Sequence, residues 1–214
     1  MNGRTCIALG LVAAALAAAP AAAGDGPLFV SQDGMGVSQG SMRYVPVANG
    51  IADDTVLEAI STTDGSVRDT YQLVGNWGLP YTPAGTEGIS RDGTTLVLAD
   101  TQSGQMSPST FMVFAPKHLQ MRQTISLKGF FSYDALSPDG TKLYLIQYVG
   151  SLYDTTHYVV RAYNLRTKRL QPGRIADRTQ KSWVMHGSPV TRTTSADGRW
   201  VYTLYSNPSG YPFI

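Results

Sequence analysis

The chain has 214 residues, with 22 glycines, 12 prolines, a single cysteine, 15% charged residues and a formal net charge of +2. That cysteine is Cys6, so a disulfide framework, a zinc–thiolate site and a cysteine nucleophile are excluded further along the chain. The glycine and proline content suits a turn-rich all-β protein, and the near-zero net charge argues against a nucleic-acid partner.

In chain order, residues 1–23 read as a secretory signal peptide. Arg4 and the amino terminus form the positive region, residues 6–19 an apolar run, and Ala21-Ala22-Ala23 a cleavage site before Gly24. The run is too short to cross a bilayer, which takes about 20 apolar residues. Export to the periplasm or the medium is therefore expected, with 191 residues left for one domain with a core. Charge is uneven in that remainder. Residues 25–100 carry 10 acids and 3 bases, whereas residues 101–214 carry 5 acids and 13 bases. The excess peaks at Arg161, Arg166, Lys168, Arg169, Arg174, Arg178 and Lys181. This 161–181 segment reads either as a solvated outer hairpin or as a patch for an anionic partner.

The strongest signal is repetition. Ser90-Arg91-Asp92-Gly93, Ser137-Pro138-Asp139-Gly140 and Ser195-Ala196-Asp197-Gly198 each precede a strand-length run: 94–100, 141–148 and 199–206. Aspartate hydrogen-bonds nearby backbone N–H groups and glycine accepts φ > 0, so each tetrapeptide predicts a tight hairpin turn. Second hairpins are predicted at 55–62 with 67–73, at 110–116 with 121–127, and at 158–164 with 169–175. The unit is four strands, a to d, close to the period of a propeller blade. The units fall at about 28–74 (partial), 75–127, 128–176 and from 177, where strands a and b are followed by an apolar stretch at 211–214.

The Ser-Pro-Asp-Gly-x-x-Leu-Tyr pattern of residues 137–144 resembles the repeat of secreted bacterial β-propellers, a group that includes YVTN-repeat, lactonase-like and Tol-associated proteins. The resemblance covers roughly residues 40–214 and implies an all-β ring of six to eight four-stranded blades. About three and a half of these are present, so further units are expected downstream. It selects no function, because this fold carries binding scaffolds and enzymes alike.

In such propellers the d-to-a and b-to-c loops gather at one mouth of a central channel. Glu87, Asp134 and Arg192 stand three residues before the three turn serines and open the innermost strand, so they are expected near that mouth. There they would bind a polar ligand or pair with one another. The d-to-a segments carry Trp77 and Tyr81, then Phe130, Phe131 and Tyr133, then Trp183 and His186. These read as inter-blade packing or as a stacking surface. Ligand-site candidates are therefore Glu87, Asp134, Arg192, Trp77, Tyr133, Trp183 and His186. The b-to-c loops at 101–109 and 149–157 are long enough to hold specificity. His157 and His186 are the candidate general bases, and His118 falls in an outer turn. No histidine pair has metal-ligand spacing, and no Gly-x-Ser-x-Gly, P-loop or dinucleotide motif occurs, so neither metal nor cofactor is expected. The leading expectation is an exported scaffold that binds a small molecule, glycan or protein. The alternative is a lactonase-like hydrolase with a metal or acid–base site built on Glu87 and Asp134.

Overall fold

A computed structural model describes residues 30–31, 34–49, 53–101, 103, 107–149, 157–175 and 187–206. The signal-peptide segment, Trp183 and His186 lie outside these residues, as do most of the two long b-to-c loops. The described chain is all-β apart from one 3-10 turn at Lys117–Leu119.

The short strand β1 (Val30–Ser31) comes first, followed by a four-stranded antiparallel meander. That sheet comprises β2 (Val37–Gln39), β3 (Met42–Asn49), β4 (Asp54–Ser61) and β5 (Val67–Val74). The first unit is thus a complete sheet, whereas only its outer pair was legible as strands. Its inner strands escape sequence reading because β2 has three residues and β3 carries Pro46, which cannot donate to a ladder.

The second sheet holds β6 (Trp77–Thr82), β7 (Gly85–Thr86), β8 (Leu96–Asp100), β9 (Ser109–Ala115) and β10 (Gln120–Leu127). Strand β1 returns to pair with β6, Val30 opposite Pro80. The third contains β11 (Phe131–Leu136), β12 (Lys142–Tyr148), β13 (Tyr158–Asn164) and β14 (Arg169–Leu170) in that order. Strand β14 is shorter than the predicted 169–175 because Pro172 has no N–H and Gly173 turns at φ 79°. Beyond them, Ile175 rejoins Val160 through one bridge. A further pair, β15 (Pro189–Thr194) and β16 (Val201–Tyr205), follows. No sheet closes on itself among the described residues.

Successive sheets pack face to face. Leu96 and Leu98 of β8 lie in one core with Leu57 and Leu73 of the first sheet. Their neighbours Val97 and Ala99 point the other way, into a core with Phe131, Leu143 and Leu145 of the third. Strand β12 repeats this: Leu143 and Leu145 face backward, while Ile146 and Tyr148 pack forward with Tyr205 of β16. A strand buried on both faces must be apolar on both, which is why Leu96-Val97-Leu98-Ala99 does not alternate with polar residues.

The three Ser-x-Asp-Gly turns share one hydrogen-bond pattern. In the second unit, Ser90 Oγ donates to Asp92 Oδ1 at 2.6 Å, the Gly93 N–H to the Ser90 carbonyl at 2.9 Å, and the Thr95 N–H to Ser90 Oγ at 3.0 Å. Ser137 with Asp139 and Ser195 with Asp197 repeat the 2.6 Å bond.

A second device recurs between sheets. Thr55 Oγ1 donates to the Gly75 carbonyl at 2.8 Å and accepts the Trp77 N–H at 2.9 Å. Ser109 Oγ likewise donates to the Gly129 carbonyl at 3.1 Å and accepts the Phe131 N–H at 2.8 Å. Each latch ties the next-to-last strand of one sheet to the aromatic residue that opens the following one.

Candidate functional site

The inner segments of the second, third and fourth units meet around one space, and local backbone irregularities aim their side chains. In the second unit the path is interrupted by the small β6–β7 hairpin, after which Gly88 adopts φ 103°. A Cβ there would stand 2.7 Å from the Val97 carbonyl oxygen, so only glycine permits this approach beside Glu87. In the third unit the β11–β12 register shifts between Tyr133 and Ala135, which leaves Asp134 at a bulge.

The result is a buried charge cluster. Arg192 Nη1 lies 2.8 Å from Glu87 Oε2, and its Nη2 lies 3.4 Å from Asp134 Oδ1. Side-chain exposure is 6% for both Arg192 and Asp134 and 21% for Glu87. The guanidinium carbon also sits 5.4 Å from the centre of the Tyr133 ring. Sequence reading expected the three charged residues to open their strands at a mouth. The structure puts Asp134 and Arg192 within β11 and β15 and brings all three together.

One guanidinium thus faces two carboxylates in a desolvated space. Burial pushes the Glu87 carboxyl up from its ordinary value against the pull of Arg192. For Arg192, burial works against the charged form, but Asp134 and then Glu87 outweigh it and the net direction is upward. Tyr133 is raised chiefly by burial and secondarily by Glu87. Beyond Asp134 lies a tyrosine group. The rings of Tyr148 and Tyr158 are 6.2 Å apart, and those of Tyr158 and Tyr205 are 6.0 Å apart. Burial pushes Tyr148 up to about 12, and Tyr158 and Tyr205 also rise through burial, with the Asp134 charge adding to the effect. The buried polar atoms of this region that lack a hydrogen-bond partner among the described residues include Arg192 Nε and the Tyr158 hydroxyl.

A cavity of about 330 Å³ opens beside the cluster. Its walls come from three units: Glu87 and Ile89 just after β7, Tyr133 and Leu136 of β11, and Thr191 to Thr194 of β15. Arg91 and Pro138 also line it, so it opens on the side of the Ser-x-Asp-Gly turns.

The other candidates lie elsewhere. Trp77 is a core residue between the first and second sheets, and its indole N–H donates to the Val74 carbonyl at 2.8 Å. Phe131 is likewise buried between the second and third. His118 occupies the turn between β9 and β10 at φ 62°. Among the described residues, no three His, Cys, Asp or Glu side chains converge as metal ligands. Sequence reasoning missed Tyr158 and Tyr205, which lie on strand c of the third unit and strand b of the fourth, away from the loops. Their apolar, strand-like surroundings offered no signal.

No protein-family model matches the chain, and no curated protein matches it. Among solved structures it is similar to the hydrazine synthase of Kuenenia stuttgartiensis, at 20% identity over 79% of this chain and 42% of that one, with a TM-score of 0.47. It is also similar to an uncharacterized protein of Listeria monocytogenes, at 11% identity over 85% and 62%, with a TM-score of 0.48. The Dos1 propeller matches at 9% identity over 77% and 40%, with a TM-score of 0.41. The chain therefore spans less than two thirds of the length of each of these proteins.

Proposed function

We propose that this chain is part of an exported β-propeller, and that it acts as a scaffold binding a small polar ligand in the channel between its inner strands. Consecutive antiparallel meanders that share cores face to face support the propeller reading, and the signal-like residues 1–23 support export. The observation that carries the function is the cavity of about 330 Å³, walled by three units and bordered by the buried side chains of Arg192 and Tyr133 and by the half-buried Glu87. Pockets of this size that mix apolar walls with a few convergent polar groups are the usual form of a ligand site. The lining threonines and the half-buried Glu87 suit a hydroxylated ligand more than a hydrophobic one.

The test is a thermal-shift screen with sugars, polyols and hydroxy acids, repeated on Ala84→Trp. Ala84 lines the cavity yet is exposed, so tryptophan fills the space without entering a core. A ligand that stabilises the parent chain and not the variant supports the site; one that stabilises both equally refutes it.

The hydrolase reading is favoured by one observation, the raised carboxyl of Glu87, which suits a general acid. It requires Glu87→Gln to abolish turnover in a lactone and ester screen. Activity that survives this change would exclude Glu87 from catalysis.

A further inference from the structure

We propose that a cleft between the second and third sheets is a separate binding site, for a small molecule bearing a phosphate or sulfate group. The cleft has a volume of about 360 Å³. Arg122 and Gln123 of β10 line it from the second sheet, and Arg166 and Lys168, between β13 and β14, from the third.

Local backbone features place each cation. The β9–β10 register slips between Met121 and Gln123, so Arg122 is the extra residue of a bulge and leaves the strand's alternation. The Arg166 and Thr167 N–H groups both donate to Asn164 Oδ1 at 2.9 Å, which fixes the turn, and Lys168 adopts φ 54°. The two sheets are held in place at this cleft. Thr95 Oγ1 donates to the Gly140 carbonyl at 3.0 Å, and the Asp92 N–H to the Pro138 carbonyl at 3.2 Å.

The charge balance selects the ligand. Arg122, Arg166 and Lys168 have no ion-pair partner within salt-bridge distance among the described residues. The one carboxylate among the described wall residues, Asp139, already accepts from Ser137 Oγ, the Thr141 N–H and Thr141 Oγ1. Three cations against one carboxylate leave a surplus of two positive charges. The threonine hydroxyls are committed, since Thr94 donates to Asp92, Thr141 to Asp139 and Thr95 to Gly140. The donors left are two guanidinium forks, an ammonium and the Gln123 amide. Guanidinium forks bind oxyanions in bidentate fashion, and a doubly charged tetrahedral group uses more such donors than a carboxylate does. The volume exceeds what a bare ion fills, so the group is expected to be carried on a small body.

This site differs from the basic segment expected from the sequence. Arg161 turns inward, with Nη1 at 2.6 Å from Gln147 Oε1 and Nη2 at 2.9 Å from the Gln171 carbonyl, whereas Arg122 joins from another unit.

Calorimetry on the whole chain at low ionic strength tests the proposal, with inorganic phosphate, inorganic sulfate and glucose 6-phosphate as probes. The variants are Arg122→Ala, Arg166→Ala and Lys168→Gly, the last keeping a residue that tolerates φ > 0. Glucose 6-phosphate should bind at least as tightly as phosphate. Each substitution should weaken binding about tenfold or more, the usual weight of a charge-assisted hydrogen bond. The exposed Arg199→Ala in the fourth unit should leave binding unchanged. The proposal is overturned if none of the three probes binds. It is also overturned if the three variants bind as the parent does, or if only a polyanion such as heparin binds, which would mark a diffuse surface field.

Discussion

Glu87 and Arg192 are far apart in the chain and 2.8 Å apart in space, and what each does depends on the other. Removing Arg192 leaves two carboxylates facing each other with no counter-charge in a buried setting. Arg192→Met is therefore expected to cost about 3–5 kcal/mol in urea unfolding, the range for a broken buried pair. A cost under about 1 kcal/mol would mean the cluster is solvated. Glu87 adds a pH signature. Its folded pKa is raised, so the fold binds the proton more tightly than the unfolded chain does. The associated stability is present below the unfolded value of 4.5 and is lost as pH rises through the folded value. Relative to Glu87→Gln, the parent chain should lose stability from pH 4.5 upward, and a flat difference would contradict the burial argument. The turn aspartates act in the opposite direction. Asp92, Asp139 and Asp197 are lowered; burial, the largest influence on Asp92, opposes its shift, while serine and backbone hydrogen bonds lower all three. Their contribution is lost as pH falls below 3.8, so the Glu87 comparison is read above that value.

At the scale of elements, the Ser-x-Asp-Gly turns were legible in the sequence because their chemistry is local: a hydroxyl, a carboxylate and a φ > 0 residue within four positions. Their depth in the fold was not legible. Gly140 and Gly198 occupy the same turn position at φ 61° and 68°. A Cβ on Gly140 would meet Thr95 Oγ1 at 2.5 Å, whereas the nearest atom at Gly198 is 3.8 Å away. Both alanine substitutions pay the left-handed penalty of about 1–2 kcal/mol. Gly140→Ala should lose measurably more in thermal unfolding, because it also pushes the second and third sheets apart. Equal losses would show that the turns do not interlock. The inter-sheet latches were missed altogether. Thr55 and Ser109 each bond to a Gly-x-aromatic segment about 20 residues later, a spacing no local motif encodes. Thr55→Val should cost about 1–3 kcal/mol by removing the hydroxyl that accepts the buried Trp77 N–H. A loss within about 0.5 kcal/mol would count against the latch.

At the scale of the molecule, repetition made the four-stranded units legible, and equal offsets from the turns singled out Glu87, Asp134 and Arg192. Their distance from solvent was not legible, because it is set by the β6–β7 hairpin, the Gly88 backbone and the Asp134 bulge, none of which recurs at the equivalent position of another unit among the described residues. Trp77 shows the same limit from the other side. Next to a loop in sequence, it is buried because two sheets close over it. The central claim is that units two, three and four meet through one buried guanidinium. A double-mutant cycle on Glu87→Gln and Arg192→Met, read by urea unfolding at neutral pH, tests it most directly. The account predicts a coupling of about 1–3 kcal/mol between the two positions, and additivity within about 0.5 kcal/mol would contradict it.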